Sequence, residues 1–233
     1  MHSINRLTIL PLVLLLLCAC ENSDDGDDTP PGPDPEPTAE RGDLIGEPEL
    51  VASYTPDEFL AVAASNDAAE LLLEVVLTPE CTFDVYHFEY TTVDPAGELT
   101  PASAAMMVPN DSGETCQGER PIVLYAHGTN TDITFNMADL ESSNNTESLL
   151  MAGLFAAEGY IVVAPNYVGY DTSTFGNHPY LNGDQQSKDM IDALAAARSA
   201  LPTVDAPDTT DGGKLLVTGY SQGGYVAMAT HRA

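Results

Sequence analysis

The chain has 233 residues, of which 36 are acidic and seven basic, for a formal net charge of −29. That balance excludes nucleic acid as an electrostatic partner, because phosphate backbones are held by clustered Lys and Arg. With 43 % hydrophobic residues the chain is not disordered throughout, and its length suits one domain or a piece of one.

Residues Met1 to Arg6 lead into an apolar run from Leu7 to Leu17, interrupted by Thr8 and Pro11. The run is too short to cross a bilayer, which takes about 20 apolar residues. A short basic start, an apolar stretch and then small residues read as a secretory signal. Leu17-Cys18-Ala19-Cys20 resembles the lipobox of bacterial lipoproteins, with small Ala19 at the cleavage edge and Cys20 as the lipidated residue. The resemblance implies a signal peptide over 1–19 and a protein held in the bacterial cell envelope through lipidated Cys20; Glu21 after the cysteine leaves inner and outer membrane both open, and the resemblance favours the outer. Several acyl chains on one cysteine anchor stably where a single chain does not. An ordinary secretory signal is the alternative. Residues 21–40 hold eight acidic residues and five prolines with no large apolar side chain, so 20–40 reads as the anchor cysteine and an extended acidic tether.

The remaining 193 residues keep 28 acidic and six basic side chains, a net charge of −22, which reads as a solvated surface favouring solubility. Two cysteines remain, Cys81 and Cys116. An exported protein meets an oxidising compartment, so a disulfide across their 35-residue separation is one reading and two free thiols the other. Neither has metal-ligand spacing around it.

Strand patterns follow at Leu72 to Leu77, Phe83 to Val93, Ala104 to Val108, Ile122 to Tyr125, Ile161 to Ala164 and Leu215 to Thr218. The early ones mix polar and apolar residues, as a half-exposed antiparallel pair does. The last three are short and continuously apolar, which suits central strands covered on both faces. Helical periodicity runs over Glu147 to Glu158, stopping at Gly159, and over Asp184 to Leu201, stopping before Pro202. Strand alternating with helix predicts an α/β fold with a parallel sheet.

Chemistry concentrates at Leu215-Leu216-Val217-Thr218-Gly219-Tyr220-Ser221-Gln222-Gly223-Gly224, a buried-strand pattern running through G-x-S-x-G into a helix pattern. A sharp strand-to-helix turn pushes a serine hydroxyl into the open at the cost of backbone strain, and Gly219 and Gly223 relieve the crowding around it. Ser221 is the candidate nucleophile; a helix-capping serine is the rival reading. Upstream, Pro121-Ile122-Val123-Leu124-Tyr125-Ala126-His127-Gly128-Thr129 reads as a strand ending in a loop that brings backbone N–H groups toward an acyl oxygen. The oxyanion donors would be the amides of Gln222 and Thr129, each worth about 2.7 to 4 kcal/mol of transition-state stabilisation. His127 reads as a brace for that loop, with a general base as the alternative.

The strand ending YAHGT, the segment PNYVGY followed by HPYL, and GYSQGG, in that order, resemble α/β-hydrolases of the secretory lipase and esterase type, in particular bacterial lipoprotein members. The resemblance covers about Phe83 to Ala233. It implies an α/β-hydrolase fold over 41–233, with a mostly parallel central sheet and an antiparallel N-terminal part, and hydrolysis of small ester or lipid substrates. The sequence carries no metal-ligand cluster, phosphate loop or nicotinamide fingerprint, so no cofactor or metal is implied. Asn166 stands where the family pattern suggests Asp. Tyr167, Gly169, His178 and Tyr180 are expected to shape a loop over the sheet, with Tyr167 or Tyr170 as alternative substrate-wall residues.

A serine nucleophile needs a base and an orienting acid, which in this fold follow it in the chain. Twelve residues follow Ser221, and their one histidine, His231, is carried by a helix roughly 15 Å from the elbow. The chain therefore reads as the N-terminal portion of a serine hydrolase, lacking the C-terminal strands and inactive by itself. A non-catalytic cell-surface binding lipoprotein, or a peptidase or acyltransferase of the same fold, is the alternative.

Overall fold

Two-residue periodicity with β-branched and aromatic side chains builds six strands, seen in a computed structural model that describes residues 38–66, 78–111, 113, 115–142 and 145–233. The signal, Cys20, the tether up to residue 37 and the strand read at Leu72 to Leu77 lie outside the described residues. The strands are β1 (Leu44–Tyr54), β2 (Phe83–Val93), β3 (Leu99–Pro109), β4 (Gly118–Ala126), β5 (Ile161–Pro165) and β6 (Thr209–Gly219), in the sheet order β1-β2-β3-β5-β4-β6. β1, β2 and β3 form an antiparallel meander, β5 joins β3 antiparallel, and β5, β4 and β6 run parallel. The α/β-hydrolase arrangement expected from the sequence is present, its parallel part being three strands wide.

Helices fill the connections. Pro56–Ala63 (α1) opens on a capping box in which the Thr55 hydroxyl accepts the Glu58 N–H and Glu58 accepts the Thr55 N–H. Thr146–Leu154 (α2) links β4 to β5, Gly183–Ala200 (α3) links β5 to β6, and Gln222–Arg232 (α4) follows β6. The Asn182 side chain caps α3 by accepting the Gln185 N–H. α3 packs on β2, β5 and α4, while α4 packs on β6 and β4. Residues 38–233 form one compact unit around a core of Phe59, Phe83, Phe88, Met106, Leu124, Ile161 and Met190.

Four expectations change in detail. The helix expected to run unbroken to Glu158 ends at Leu154: Phe155 leaves helical geometry at φ −131°, its carbonyl takes the Glu158 and Tyr160 N–H groups, and a 3-10 turn follows over Ala156–Glu158. The stop at Gly159 is where the sequence puts it, because φ is +85° there and a Cβ would meet the Thr115 carbonyl at 2.1 Å. Likewise, the helix expected to reach Leu201 ends at Ala200, with Leu201–Thr203 as a 3-10 turn.

β2 and β3 are not half-exposed but almost entirely buried. Their polar residues are satisfied inside: Thr92 donates to Asp192 at 2.7 Å, Tyr90 to Asp189 at 2.5 Å, and Asp84 accepts from Asn110 at 2.7 Å. Among the antiparallel strands of the meander the half-exposed one is β1, which the sequence hides because Pro48 interrupts its pattern; the register shift between Ile45 and Glu49 absorbs that proline.

β6 is an edge strand rather than a central one covered on both faces. Leu215 and Leu216 are 42 % and 43 % exposed, since β4 pairs with its inner side and, among the described residues, no strand pairs with its outer side.

Cys81 and Cys116 form a disulfide, with 5.4 Å between their Cα atoms. It ties the segment entering β2 to the loop before β4. Closing a loop of 35 residues is worth about 3 to 4 kcal/mol on the chain-entropy estimate. The Cys81→Ser/Cys116→Ser double variant is therefore expected to melt about 6 to 16 °C below the parent by differential scanning calorimetry; an unchanged Tm contradicts this.

Candidate active site

β6 ends at Gly219 and α4 begins at Gln222, leaving two residues to reverse the chain. Ser221 absorbs the turn at φ 54°, ψ −115°, a conformation that costs a non-glycine residue about 1 to 3 kcal/mol. It occupies the N-cap position of α4, yet its side chain makes no capping hydrogen bond. The rival reading of a capping serine thus lacks its defining contact, and the exposed hydroxyl carries no structural duty. The glycines have steric reasons: a Cβ on Gly219 would lie 2.4 Å from the Gly223 carbonyl oxygen, and one on Gly223 would lie 1.8 Å from that of Ala126.

The loop after β4 comes to the same place. Gly128 lies against Tyr220, the residue before Ser221: a Cβ there would sit 3.1 Å from the Tyr220 ring. The Gly128 N–H donates to Glu147 at 2.9 Å, and the Tyr125 hydroxyl donates to the same carboxylate at 2.6 Å. Glu147, in the first turn of α2, thereby pins the loop. With Gly128 engaged, the amide of exposed Thr129 is the first one along this loop that donates no hydrogen bond among the described residues. The Gln222 amide is the first of α4, where a helical N–H has no acceptor within the helix.

His127 is fully buried and is a brace. Its Nδ1 lies 2.7 Å from the Gly128 carbonyl, its Nε2 lies 3.1 Å from that of Asn166, and its ring stacks on Tyr167 at 4.2 Å. Burial pushes its pKa down to about 4, so it is neutral near pH 7. Asn166 is fully buried, accepting the Met137 N–H at 2.7 Å through Oδ1 and donating to Ser103 Oγ at 2.9 Å through Nδ2. An aspartate has no such donor, which explains the departure from the family pattern.

Tyr167 and Tyr170 are buried and pack rather than line a substrate wall. Tyr167 sits at φ 66° between His127 and His178, donating to the His127 carbonyl; Tyr170 donates to the Asn130 carbonyl at 2.6 Å. Gly169, at φ 95°, lets the chain pass so close that a Cβ would lie 2.4 Å from His178 N.

His178 goes further than shaping a loop: its Nε2 lies 2.7 Å from Nε2 of Gln222, the residue after Ser221. No sequence signal announces that contact, because 44 residues separate the partners. His231 is exposed on the last turn of α4. Among the described residues no imidazole or carboxylate hydrogen-bonds Ser221 Oγ, and no group of three or more His, Cys, Asp or Glu side chains is placed to hold a metal.

The loop after β5 is pinned to the antiparallel strands by His87, whose Nε2 lies 2.7 Å from Asp171 Oδ2; Ser103 Oγ donates to the same oxygen at 2.6 Å. The Asp171 hydrogen bond raises the His87 pKa against the opposing effect of burial. A raised folded pKa stabilises fully below the unfolded value of about 6.5 and stops doing so as pH climbs through the folded value. The parent protein is therefore expected to lose Tm relative to His87→Asn as pH rises from about 6.5 toward 9; parallel Tm curves contradict the assignment.

The fold agrees with solved structures. The esterase LipA from Xanthomonas oryzae, described as degrading rice cell wall, is 32 % identical to this chain, with a TM-score of 0.68 over 83 % of this chain and 46 % of that one. A Legionella pneumophila protein is 22 % identical, with a TM-score of 0.65 over 81 % of this chain and 47 % of that one. Candida antarctica lipase A shares the fold at 13 % identity and a TM-score of 0.51, over 82 % of this chain and 38 % of that one. The chain spans less than half the length of each. Residues 146–232 match the prolyl oligopeptidase family. No curated protein matches the chain. With its strand order, its strained serine between β6 and α4, and these likenesses, the chain belongs to the α/β-hydrolase superfamily.

Proposed function

We propose that this chain is the nucleophile-bearing part of a serine hydrolase of carboxylic esters, acting through an acyl-enzyme on Ser221. The observation that carries the reading is the strained, uncapped Ser221 between a parallel strand and a helix whose first amide is free. In this reading a base takes the hydroxyl proton as Ser221 Oγ attacks the ester carbonyl. The Gln222 and Thr129 amides stabilise the oxyanion. The intermediate collapses with loss of the alcohol, which takes the proton back, and water then releases the acid and regenerates the serine. The triad's base and acid belong, on this proposal, to a longer protein than residues 1–233, and this chain by itself is catalytically silent.

Support for an ester substrate comes from LipA, named as an esterase at 32 % identity. Cys20 is proposed as the lipid anchor that keeps the protein in the cell envelope. A peptidase is the second reading, favoured by the prolyl oligopeptidase match over 146–232, the part that includes the serine turn. Hydrolysis of 4-nitrophenyl butyrate and of a proline-containing peptide 4-nitroanilide separates the two. The full-length protein is expected to turn over the ester far faster, with the 233-residue chain inactive on both. Preference for the peptide, or ester turnover by the 233-residue chain that Ser221→Ala removes, contradicts the first reading.

A further inference from the structure

Gln222 is 3 % exposed, and its side-chain Oε1 has no hydrogen-bond partner among the described residues. Its polar hold is the contact of its Nε2 with His178 Nε2 at 2.7 Å. The histidine tautomer follows from the other side of the ring. Nδ1 lies 3.0 Å from the Val168 carbonyl, which only accepts, so Nδ1 carries the hydrogen and Nε2 presents a bare lone pair. Gln222 Nε2 donates to that lone pair, with Gln186 Nε2 a longer second donor at 3.2 Å. Burial lowers the His178 pKa, in keeping with a neutral ring.

The ring is itself held rigidly. It stacks on Tyr167 with centroids 5.4 Å apart and packs on Tyr170 at 4.7 Å. Val168, whose carbonyl orients Nδ1, is fixed through its own N–H, which donates to buried Asp189 on α3 at 2.7 Å. A continuous set of fixed groups thus runs from α3 through Val168 and His178 to the residue after the nucleophile.

We propose that His178 is a positioning residue for the oxyanion hole: by accepting the Gln222 side-chain N–H it fixes residue 222 so that its backbone N–H points at the developing oxyanion. This rests on the reading of Ser221 as nucleophile. A donor to the oxyanion is used more strongly in the transition state than in the ground state, so loosening it lowers kcat and leaves KM nearly unchanged.

The test is a double-mutant cycle on the full-length protein with 4-nitrophenyl butyrate, using His178→Phe, which keeps a stacking ring, and Gln222→Leu, which keeps bulk. Each single variant is expected to lose about 10- to 100-fold in kcat with KM within about threefold, as for a small misplacement of a catalytic group. The double variant is expected to be no worse than the poorer single one. Independent, multiplying losses, or losses confined to KM, overturn the proposal. If His178→Phe does not fold, Gln222→Leu decides alone: a kcat loss with unchanged KM supports the proposal and an unchanged kcat overturns it. Ser221→Ala in the same assay separates the two claims. If it stays active the nucleophile reading fails, whereas an inactive Ser221→Ala beside a multiplying cycle removes only the role of His178.

Discussion

Replacing Ser221 with alanine is expected to lower kcat for the proposed ester hydrolysis by the full-length protein about 10⁵- to 10⁶-fold, because the proposed acyl-enzyme route depends on that oxygen. The fold should survive the change. Ser221 makes no capping bond and sits exposed at φ 54°, so alanine removes no buried contact and inherits the same strain. An unchanged melting temperature beside lost turnover, measured on one preparation, is the expected pair of results. Turnover within about tenfold of the parent assigns the chemistry to another residue.

A second large effect is expected from Gly223→Ala, this time on the fold and the site together. The added Cβ would lie 1.8 Å from the Ala126 carbonyl oxygen, 2.5 Å from its carbon and 2.7 Å from the His127 carbonyl oxygen. All three are backbone atoms at the end of β4, so relief requires β4 and α4 to move apart. The expected cost is about 3 kcal/mol or more, read as a Tm lower by about 6 to 12 °C. Turnover should fall at least about 100-fold, because the same movement displaces the loop proposed to hold the oxyanion from the serine. Gly224→Ala is the control. Its Cβ would meet only the Gly219 carbonyl oxygen, at an ordinary 3.6 Å, and alanine is the better helix former, so stability should hold or rise by up to about 1 kcal/mol. Equal behaviour of the two variants contradicts the steric account of the turn.

The serine turn was legible because its logic is local. An apolar strand, two small residues flanking the serine and a helix pattern lie within about twenty residues, and their geometry follows from backbone sterics. The loop after β4 was legible for the same reason, and Gly159 ended its helical segment as glycine chemistry dictates. What escaped depends on residues distant in sequence. The burial of β2 and β3 comes from α3 packing on β2, with Thr92 and Tyr90 meeting Asp192 and Asp189 about 100 positions away. β1 escaped because Pro48 breaks its alternation, and a bulge absorbs the proline only once β2 is there to pair. The exposed outer side of β6 could not be read from Leu215 to Thr218, because an apolar run says what a strand prefers to bury and not what covers it. His178 illustrates the same limit at the site: its segment pointed to a loop, and only the folded chain brings its Nε2 to Gln222.

The polar interior follows one pattern around the site. Asn166, Asp189 and Glu147 each accept one or more backbone N–H groups or hydroxyls from a different element, so each fixes a loop rather than a substrate. Burial raises the Asp189 pKa to about 6, against the hydrogen bonds from Tyr90 and Val168. The strained residues Tyr167, Asp171 and Ser221 lie where these supports converge, so that rigid surroundings hold conformations the isolated residues avoid.

Whether Ser221 is the acylated nucleophile is read by mass spectrometry after exposure to a fluorophosphonate, a reagent that phosphonylates an activated serine. Trypsin cleaves after Lys214 and Arg232, so Ser221 falls in the single peptide Leu215 to Arg232. The full-length protein is expected to gain one phosphonyl group, carried by that peptide at Ser221, and Ser221→Ala to gain none. A full-length protein that hydrolyses esters while its label lies on another peptide, or while Ser221 stays unmodified, contradicts the claim.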